Sequence, residues 1–565
     1  MNELILLMVF GSKKQPRRHF FLNFLTFFSR QNKPKKNKME EKLWQACFDG
    51  KVEEVRTLLQ NSQININWQD SQYSTPFYAA CHEGHIEIVK LLLNDNRVDI
   101  NKAKNDGYTP FCIACQNGHI EIVKFLLNDN RIDINKTTND GSTPFLMACQ
   151  KGHIEIVELL LNDKRIDINK TTNEGATPFW QACSHGHTEI VKLLLNDERI
   201  DINKGNKNEA TPFYLACGKG HIEIVKLLLN DNRIDFNKED EDGSTPFYIA
   251  CLQGHIEIVK LLLNDKGIDI NKADNGGFTP FYIACFKGHI EIMKLLFNDN
   301  TVDINKPQSE GGTPFFIACQ EGQIEIVKLL LSDHRIDINK ATNEGCATPF
   351  YIACQRGYIE IVKLLLNDKR VDINKANNED TTPFYISCQF GHIEIVKLLL
   401  SDNRIVDFNK ARNDSWTPLL IACHEGHIEI VKLLLNDKRV AINKATNTGE
   451  TPFLIACYKG NLEVVKYLLA CGREIDINKK DDDGKTGLDW AREKMEINEW
   501  DEDCETEEEF QKAKRNFPKI VELIESFLRN PNETRAKLRK ELGLPGEFIF
   551  IFIHVIKNEK LIEKF

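Results

Sequence analysis

The sequence predicts an all-α protein, a solenoid of helix-turn-helix units joined by hairpin loops, and three observations carry that expectation. A Thr-Pro pair recurs at Thr75, Thr109, Thr143, Thr177, Thr211, Thr245, Thr279, Thr313, Thr348, Thr382, Thr417 and Thr451, stepping by 34 residues, or by 35 where one residue is inserted. A self-similar period of this length marks a stacked array. Each period holds two short runs with helical spacing of apolar residues, separated by a Gly. Thirteen of the seventeen cysteines occupy one position of the period, from Cys47 and Cys81 through Cys423 and Cys457, which is the behaviour of a packing residue.

The unit from Thr245 to Lys272, TPFYIACLQGHIEIVKLLLNDKGIDINK, shows the logic. Thr245 is a good N-cap and Pro246 suits the first helical position, where a missing N–H costs nothing. Phe247, Ala250 and Cys251 fall at i, i+3 and i+4 on one apolar face. Gly254 stops this helix, and IEIVKLLL forms a second, with Glu257 near its positive end and Lys260 a turn later. Asn264 is expected to end it in the left-handed conformation. IDINK and the polar stretch after it suit an extended hairpin arm. Ile258, Val259, Leu262 and Leu263 need cover, and at ~1.5–3 kcal/mol per buried aliphatic side chain one unit cannot offset its own ordering entropy. Neighbours must therefore stack.

TPFYIAC, GHIEIVKLLL and DIN together resemble the ankyrin repeat, from about Glu40 to Arg492. Two departures stand out: Phe-Tyr or similar replaces the family's usual Leu-His after Thr-Pro, and the turn after the second helix is one residue longer and usually lacks the family's Gly. The resemblance implies an ankyrin-repeat solenoid of about fourteen units whose concave face and hairpin tips touch partners.

Residues 1–38 lie outside the pattern, with nine Lys or Arg against one acid, a formal +8 that leaves −18 for the rest of a chain of net charge −10. Three readings are open for them. LILLMVF and FFLNFLTFF around KKQPRR read as a targeting sequence, each run being too short to span a bilayer; KPKKNK reads as a nuclear address; or Met39 is the true start. Residues 39–72 form an N-terminal capping repeat, in which Glu41-Lys42 replace Thr-Pro, and twelve repeats fill 73–479. Residues 480–530 read as a degenerate C-terminal capping repeat, with Gly487 in place of Pro. An acidic insertion between Glu499 and Phe510 is expected as a solvated loop. Ile520, Leu523, Ile524, Phe527 and Leu528 then make the apolar face of the delayed second helix. Residues 531–565 form a helical tail ending in the apolar run Phe548–Ile556, which is expected to pack on the cap.

The candidate chemistry is thin. Cysteines on buried first helices of separate repeats are poorly placed to pair, which argues for a reducing compartment. The Asn-x-Ser/Thr triplets at Asn135, Asn169 and Asn413 are then read as unglycosylated. Cys112 and Cys115 make a C-x-x-C inside a helix, without the setting of a redox motif. His85, His119, His153, His221, His255, His289, His392 and His427 stand one per repeat, where the resemblance implies a structural role. Zinc needs convergent ligands, for which only a local pair such as His424 and His427 offers a start. Asp481, Asp483 and Gly484 match part of a calcium loop whose first and last positions, Lys479 and Trp490, fail. No metal, cofactor or catalytic constellation is expected, since most positions are the same in every unit.

Comparing repeats within the chain separates scaffold from surface. The two residues after each Ala-Cys vary, as do the hairpin residues before each Thr. Tyr108, Trp180, Tyr248, Leu252, Phe278, Tyr282, Phe286, Phe390, Trp416 and Tyr458 are the partner-binding candidates, because aromatic anchors with a polar rim make protein hot spots. The alternative for Tyr248, Tyr282 and the residues beside them is packing between repeats. Acidic hairpins and the −18 disfavour nucleic acid and point to a basic or mixed protein surface. The expected function is a monomeric, non-enzymatic, cytoplasmic scaffold, or a nuclear one if the basic segment is an address, with no membrane insertion. Two alternatives remain: a structural or elastic spacer, and an adaptor recruiting an effector such as a ubiquitin ligase through its C-terminal tail.

Overall fold

A computed structural model describes residues 38–265, 267–497 and 506–545. The described residues form paired helices and turns, with no strand among them. The chain divides into two compact units, Met1–Ala216 with Glu223–Ile234, and Cys217–Ile222 with Asp235–Phe565. Within each, helix pairs stack in chain order, and first helices pack on first helices more closely than second on second.

The Thr-Pro signal is a helix cap. Thr245 is extended at φ −87° and ψ 164°, and its Oγ1 accepts the Tyr248 N–H at 3.1 Å. The same bond closes all twelve Thr-Pro units. Phe247, Ala250 and Cys251 are fully buried, as are Ile258, Val259 and Leu262, while Leu263 is half-buried.

Gly254 ends the first helix at φ +79°, a conformation that side chains with a Cβ rarely adopt. A second reason for glycine comes from the next repeat: a Cβ there would lie 2.7 Å from the His289 ring. That ring donates from Nε2 to the Leu252 carbonyl at 3.1 Å. A carbonyl only accepts, so Nε2 carries the proton. Where Gln323 stands in the histidine position, its Nε2 reaches the Phe286 carbonyl at 3.3 Å.

Two expectations need correction. Asn264 is right-handed, at φ −80° and ψ −9°, because the second helix closes with a turn from Asp265 N–H to the Leu262 carbonyl and needs no reversal. The hairpin arm is a run of turns rather than an extended strand. Its rigidity comes from the Asn of DIN, whose side chain bridges to the next repeat. Asn305 donates to the Arg335 carbonyl at 2.7 Å and accepts from the Asp337 N–H at 3.0 Å. The same pair of bonds is made by Asn101, Asn135, Asn169, Asn271 and Asn409. With a net ~0.5–1.5 kcal/mol per hydrogen bond, Asn305→Leu is expected to cost about 1–2 kcal/mol, read as an earlier urea midpoint and faster exchange of the Asp337 amide, with Asn305→Asp losing only part of this.

A further brace links successive second helices. Arg404 donates from Nη2 to the Leu366 carbonyl at 2.6 Å, and its own position is held by Asp402 at 2.8 Å. The guanidinium keeps the Asp402 carboxyl below the usual carboxylate range, and the same holds for Asp368 beside Arg370. Gly267 and Thr301 stand at the arginine register of their repeats, and Arg335 holds its guanidinium on Asp333.

The C-terminal end is more built than the sequence suggests. Glu507–Arg529 is one helix, so residues 507–510 are helical rather than loop: Thr506 caps it and three glutamates sit in its positive first turn. Residues 498–505 of the acidic run lie outside the described residues. Phe510, Phe517, Ile520, Ile524 and Phe527 are buried, whereas Leu528 is 44% exposed and does not belong to the packed face. Asn516 donates to the Gly460 carbonyl at 2.9 Å, beside a glycine that Ala513 covers as a histidine does elsewhere. Gly487 stands in place of Pro, and a Cβ there would lie 3.1 Å from Cys457 Sγ. The tail helix Pro531–Glu541 docks on Leu462–Ala470, and Arg535 and Arg539 donate to the Leu469 and Ala470 carbonyls at 3.3 and 2.9 Å. They take the place of the arginine that a further repeat would bring. The N-terminal extension and the apolar run Phe548–Ile556 lie outside the described residues.

Candidate protein-binding surface

Of the positions that differ between repeats, the packing leaves open the ends of the first helices, and the residue before Thr only where it is large. Neither of the two residues that precede the helix-ending Gly is buried in any Thr-Pro unit. Leu252, Phe286 and Tyr458 are half-buried there, and Phe390 is 50% exposed. The residue before Thr is buried where it is small, as at Ser142 and Ser244, and half-buried where it is large, as at Tyr108, Phe278 and Trp416.

Trp180, Tyr248 and Tyr282 stand one turn earlier and behave differently. Trp180 is half-buried and donates from Nε1 to the Ala210 carbonyl of the next hairpin at 2.9 Å. Tyr248 and Tyr282 are buried, at 5% and 4% exposure. The Tyr248 hydroxyl donates to Asp274 Oδ2 at 3.0 Å, and Asp274 Oδ1 accepts the N–H groups of Gly276 and Phe278. Tyr248 thus fixes the hairpin that carries Phe278. Sequence reasoning missed this indirect role, although its signal was present: a carboxylate two and four residues ahead of backbone N–H groups in a Gly-rich turn.

The structure brings several candidates into contact with other rings. Phe278 lies on Tyr282 with centroids 5.1 Å apart, Trp416 meets His424 edge-on at 5.1 Å, Tyr458 meets Trp490 at 5.1 Å, and Phe390 stacks on His392 at 6.3 Å. Tyr108 stands in the first unit, two repeats before Trp180. His424 pairs with Glu425 while His427 donates to the Gln389 carbonyl, so the two histidines face different partners. Asp481 of the broken calcium pattern accepts the Trp490 indole N–H.

Tyr385 is fully buried, and its hydroxyl is, among the described residues, the one buried side-chain polar atom without a hydrogen-bond partner. At the same register Tyr351 is reached by Asn377 Nδ2 at 3.4 Å. Arg412, which follows Tyr385 in that role, instead pairs with Asp414. A desolvated, unpaired hydroxyl costs free energy. Tyr385→Phe is therefore expected to raise stability by about 1 kcal/mol, seen as a later urea midpoint with unchanged slope.

The core thiols have no surface chemistry. Cys112, Cys115 and the cysteines at the repeated position are buried and free, and burial pushes their pKa up, to about 12 for Cys112 and Cys354. Such groups stay protonated and unreactive. Among the described residues no three His, Cys, Asp or Glu side chains converge as a metal site would require. No helix among them is long and apolar enough to cross a membrane.

The array thus has a uniform core under partly open edge positions that vary. The family model for ankyrin repeats matches residues 43–138, 130–206, 198–274, 267–342, 341–411 and 404–481, and the protein belongs to the ankyrin-repeat family. No curated protein matches the chain. Repeats of this family generally mediate protein–protein interactions, and the family is usually non-catalytic.

Proposed function

We propose that the protein is a non-enzymatic adaptor that holds a partner protein along the ends of its first helices and the tips of its hairpins. One observation carries this reading: repeated residues go to the core and to the bonds between repeats, while the variable residues at the first-helix ends stay open and these, with the large residues before Thr, include aromatics. Phe390, half exposed, and half-buried Phe278, Trp416 and Tyr458 are anchors of the kind that dominate protein interfaces. Free, protonated core thiols support a cytoplasmic setting. The spacer alternative gives no role to these aromatics, and the docking of Pro531–Glu541 as a brace speaks against a tail reserved for an effector.

Cross-linking affinity purification with the full chain, beside a Phe390→Ala, Trp416→Ala, Tyr458→Ala variant and a Leu252→Ala, Phe278→Ala, Phe286→Ala variant, tests the reading. A stoichiometric protein captured by the parent and lost by at least one variant is the expected result. Failure of the parent to retain any protein would leave the spacer reading in its place.

A further inference from the structure

The hairpin tips around Phe278 have a charge pattern that specifies the kind of partner. Successive tips are tied by backbone bonds: Asn275 N–H to the Asp242 carbonyl at 2.9 Å, Ser309 N–H to the Gly276 carbonyl at 3.1 Å, and Asn343 N–H to the Glu310 carbonyl at 2.7 Å. At one register the tips therefore carry Asp242, Gly276 and Glu310 in order, with Glu241 one residue earlier on the first. Gly276 has no side chain and stands between two carboxylates, while Asn275 beside it donates to the Glu241 carbonyl at 3.1 Å. A Cβ on Gly276 would come within 2.6 Å of the Phe278 ring, so a side chain there would displace that ring.

Phe278 stands at the base of this tip. Its register neighbours in the flanking repeats are Ser244 and Gly312, so no bulky side chain stands on either side of it. Leu252 and Phe286 stand half-buried at the opposite, C-terminal ends of the first helices. Glu241, Asp242, Glu310 and Glu321 are exposed and form no ion pair among the described residues. Burial raises the Tyr282 hydroxyl pKa first, and the charges of Glu321 and Glu310 act in the same direction. The nearby cations are committed: Lys287 lies 4.9 Å over the Phe286 ring, and Lys272 pairs with Glu239 at 2.9 Å.

We infer that this notch docks a peptide segment carrying a bulky apolar side chain close to two or more Arg or Lys residues. The apolar side chain sits against Phe278, the cations reach the carboxylates of the flanking tips, and the rest of the segment extends along the first helices toward Leu252 and Phe286. The inference rests on the adaptor reading and names the partner chemistry for one of its surfaces. Charge complementarity of this kind suppresses wrong partners as well as attracting the right one.

The test is selection of a displayed random peptide library against the full chain, followed by titration of the enriched peptides as synthetic, labelled probes. Two variants accompany the parent: Leu252→Ala, Phe278→Ala, Phe286→Ala, and a charge variant, Glu241→Gln, Asp242→Asn, Glu310→Gln, Glu321→Gln, whose positions are all exposed and outside the core. Enriched peptides are expected to combine an aromatic or aliphatic anchor with adjacent bases. Binding should weaken at least about tenfold in the apolar variant, and the charge variant should lose both affinity and salt dependence. Enrichment of acidic peptides, or of peptides indifferent to both variants, would overturn the site while leaving the adaptor reading in place. Recovery of no binding peptide would overturn the site, and the affinity purification would then decide the adaptor reading independently.

Discussion

Replacing Phe281 by Ala is expected to destabilise the second unit by about 3–5 kcal/mol. The residue follows the Thr-Pro pair of its repeat, is 1% exposed, and stacks on Phe297 with centroids 6.4 Å apart. A helix of eight residues flanked by two neighbours cannot collapse onto the space that the ring vacates, since its other contacts are fixed by caps and braces. Removal therefore loses transfer free energy and leaves a cavity. Because each repeat touches only its neighbours, the loss should be local: faster amide exchange across the adjoining repeats, with Cys47 and its surroundings unaffected. Phe390→Ala, on a half-exposed ring, is expected to fall within about 0.5 kcal/mol of the parent.

Gly254→Ala should cost about 2–3 kcal/mol, combining ~1–2 kcal/mol for a left-handed non-glycine residue with about 1 kcal/mol for a lost hydrogen bond. At φ +79° alanine is strained whatever the space around it, and here the space is also taken. Its Cβ would lie 2.7 Å from the His289 ring, which must leave the Leu252 carbonyl it donates to. The double variant Gly254→Ala, His289→Ala separates the two contributions. It relieves the clash and keeps the backbone strain, so its urea midpoint should be higher than the sum of the two single changes requires.

The fold was legible because the chain states its rule twelve times. Thr-Pro at one register and Gly at another locate both ends of the first helix, and stacking follows from apolar faces too small to stand alone. The bonds between repeats were not legible in the same way. Asn305 meets Arg335 and Asp337, some thirty residues on, and only recurrence of the Asn marked it as important. The tail was harder, since Arg535 and Arg539 imitate an arginine brace from a helix that has no repeat pattern. That role also bears on deletion experiments: removing residues 531–565 strips the final braces, so lost function would report lost stability.

The surface was legible in part. Variation between repeats found the open helix ends and the half-buried Phe278 and Trp416. It did not separate Tyr248 and Tyr282, which look like surface aromatics on a single helix but lie between two neighbours. In a stack each first helix has a wide apolar face, and the fourth residue belongs to it. Tyr248 still serves the surface, because its hydroxyl holds Asp274, and Asp274 holds the turn that carries Phe278.

Hydrogen exchange of the full chain with and without its captured partner tests the adaptor account most directly. Slowed exchange should appear at the amides around Leu252, Gly276 to Phe278, Phe286, Phe390 and Trp416, with the outer faces of the second helices, such as Glu257 and Lys260, unchanged. Protection confined to those outer faces, or spread evenly with no preference for the variable positions, would contradict it.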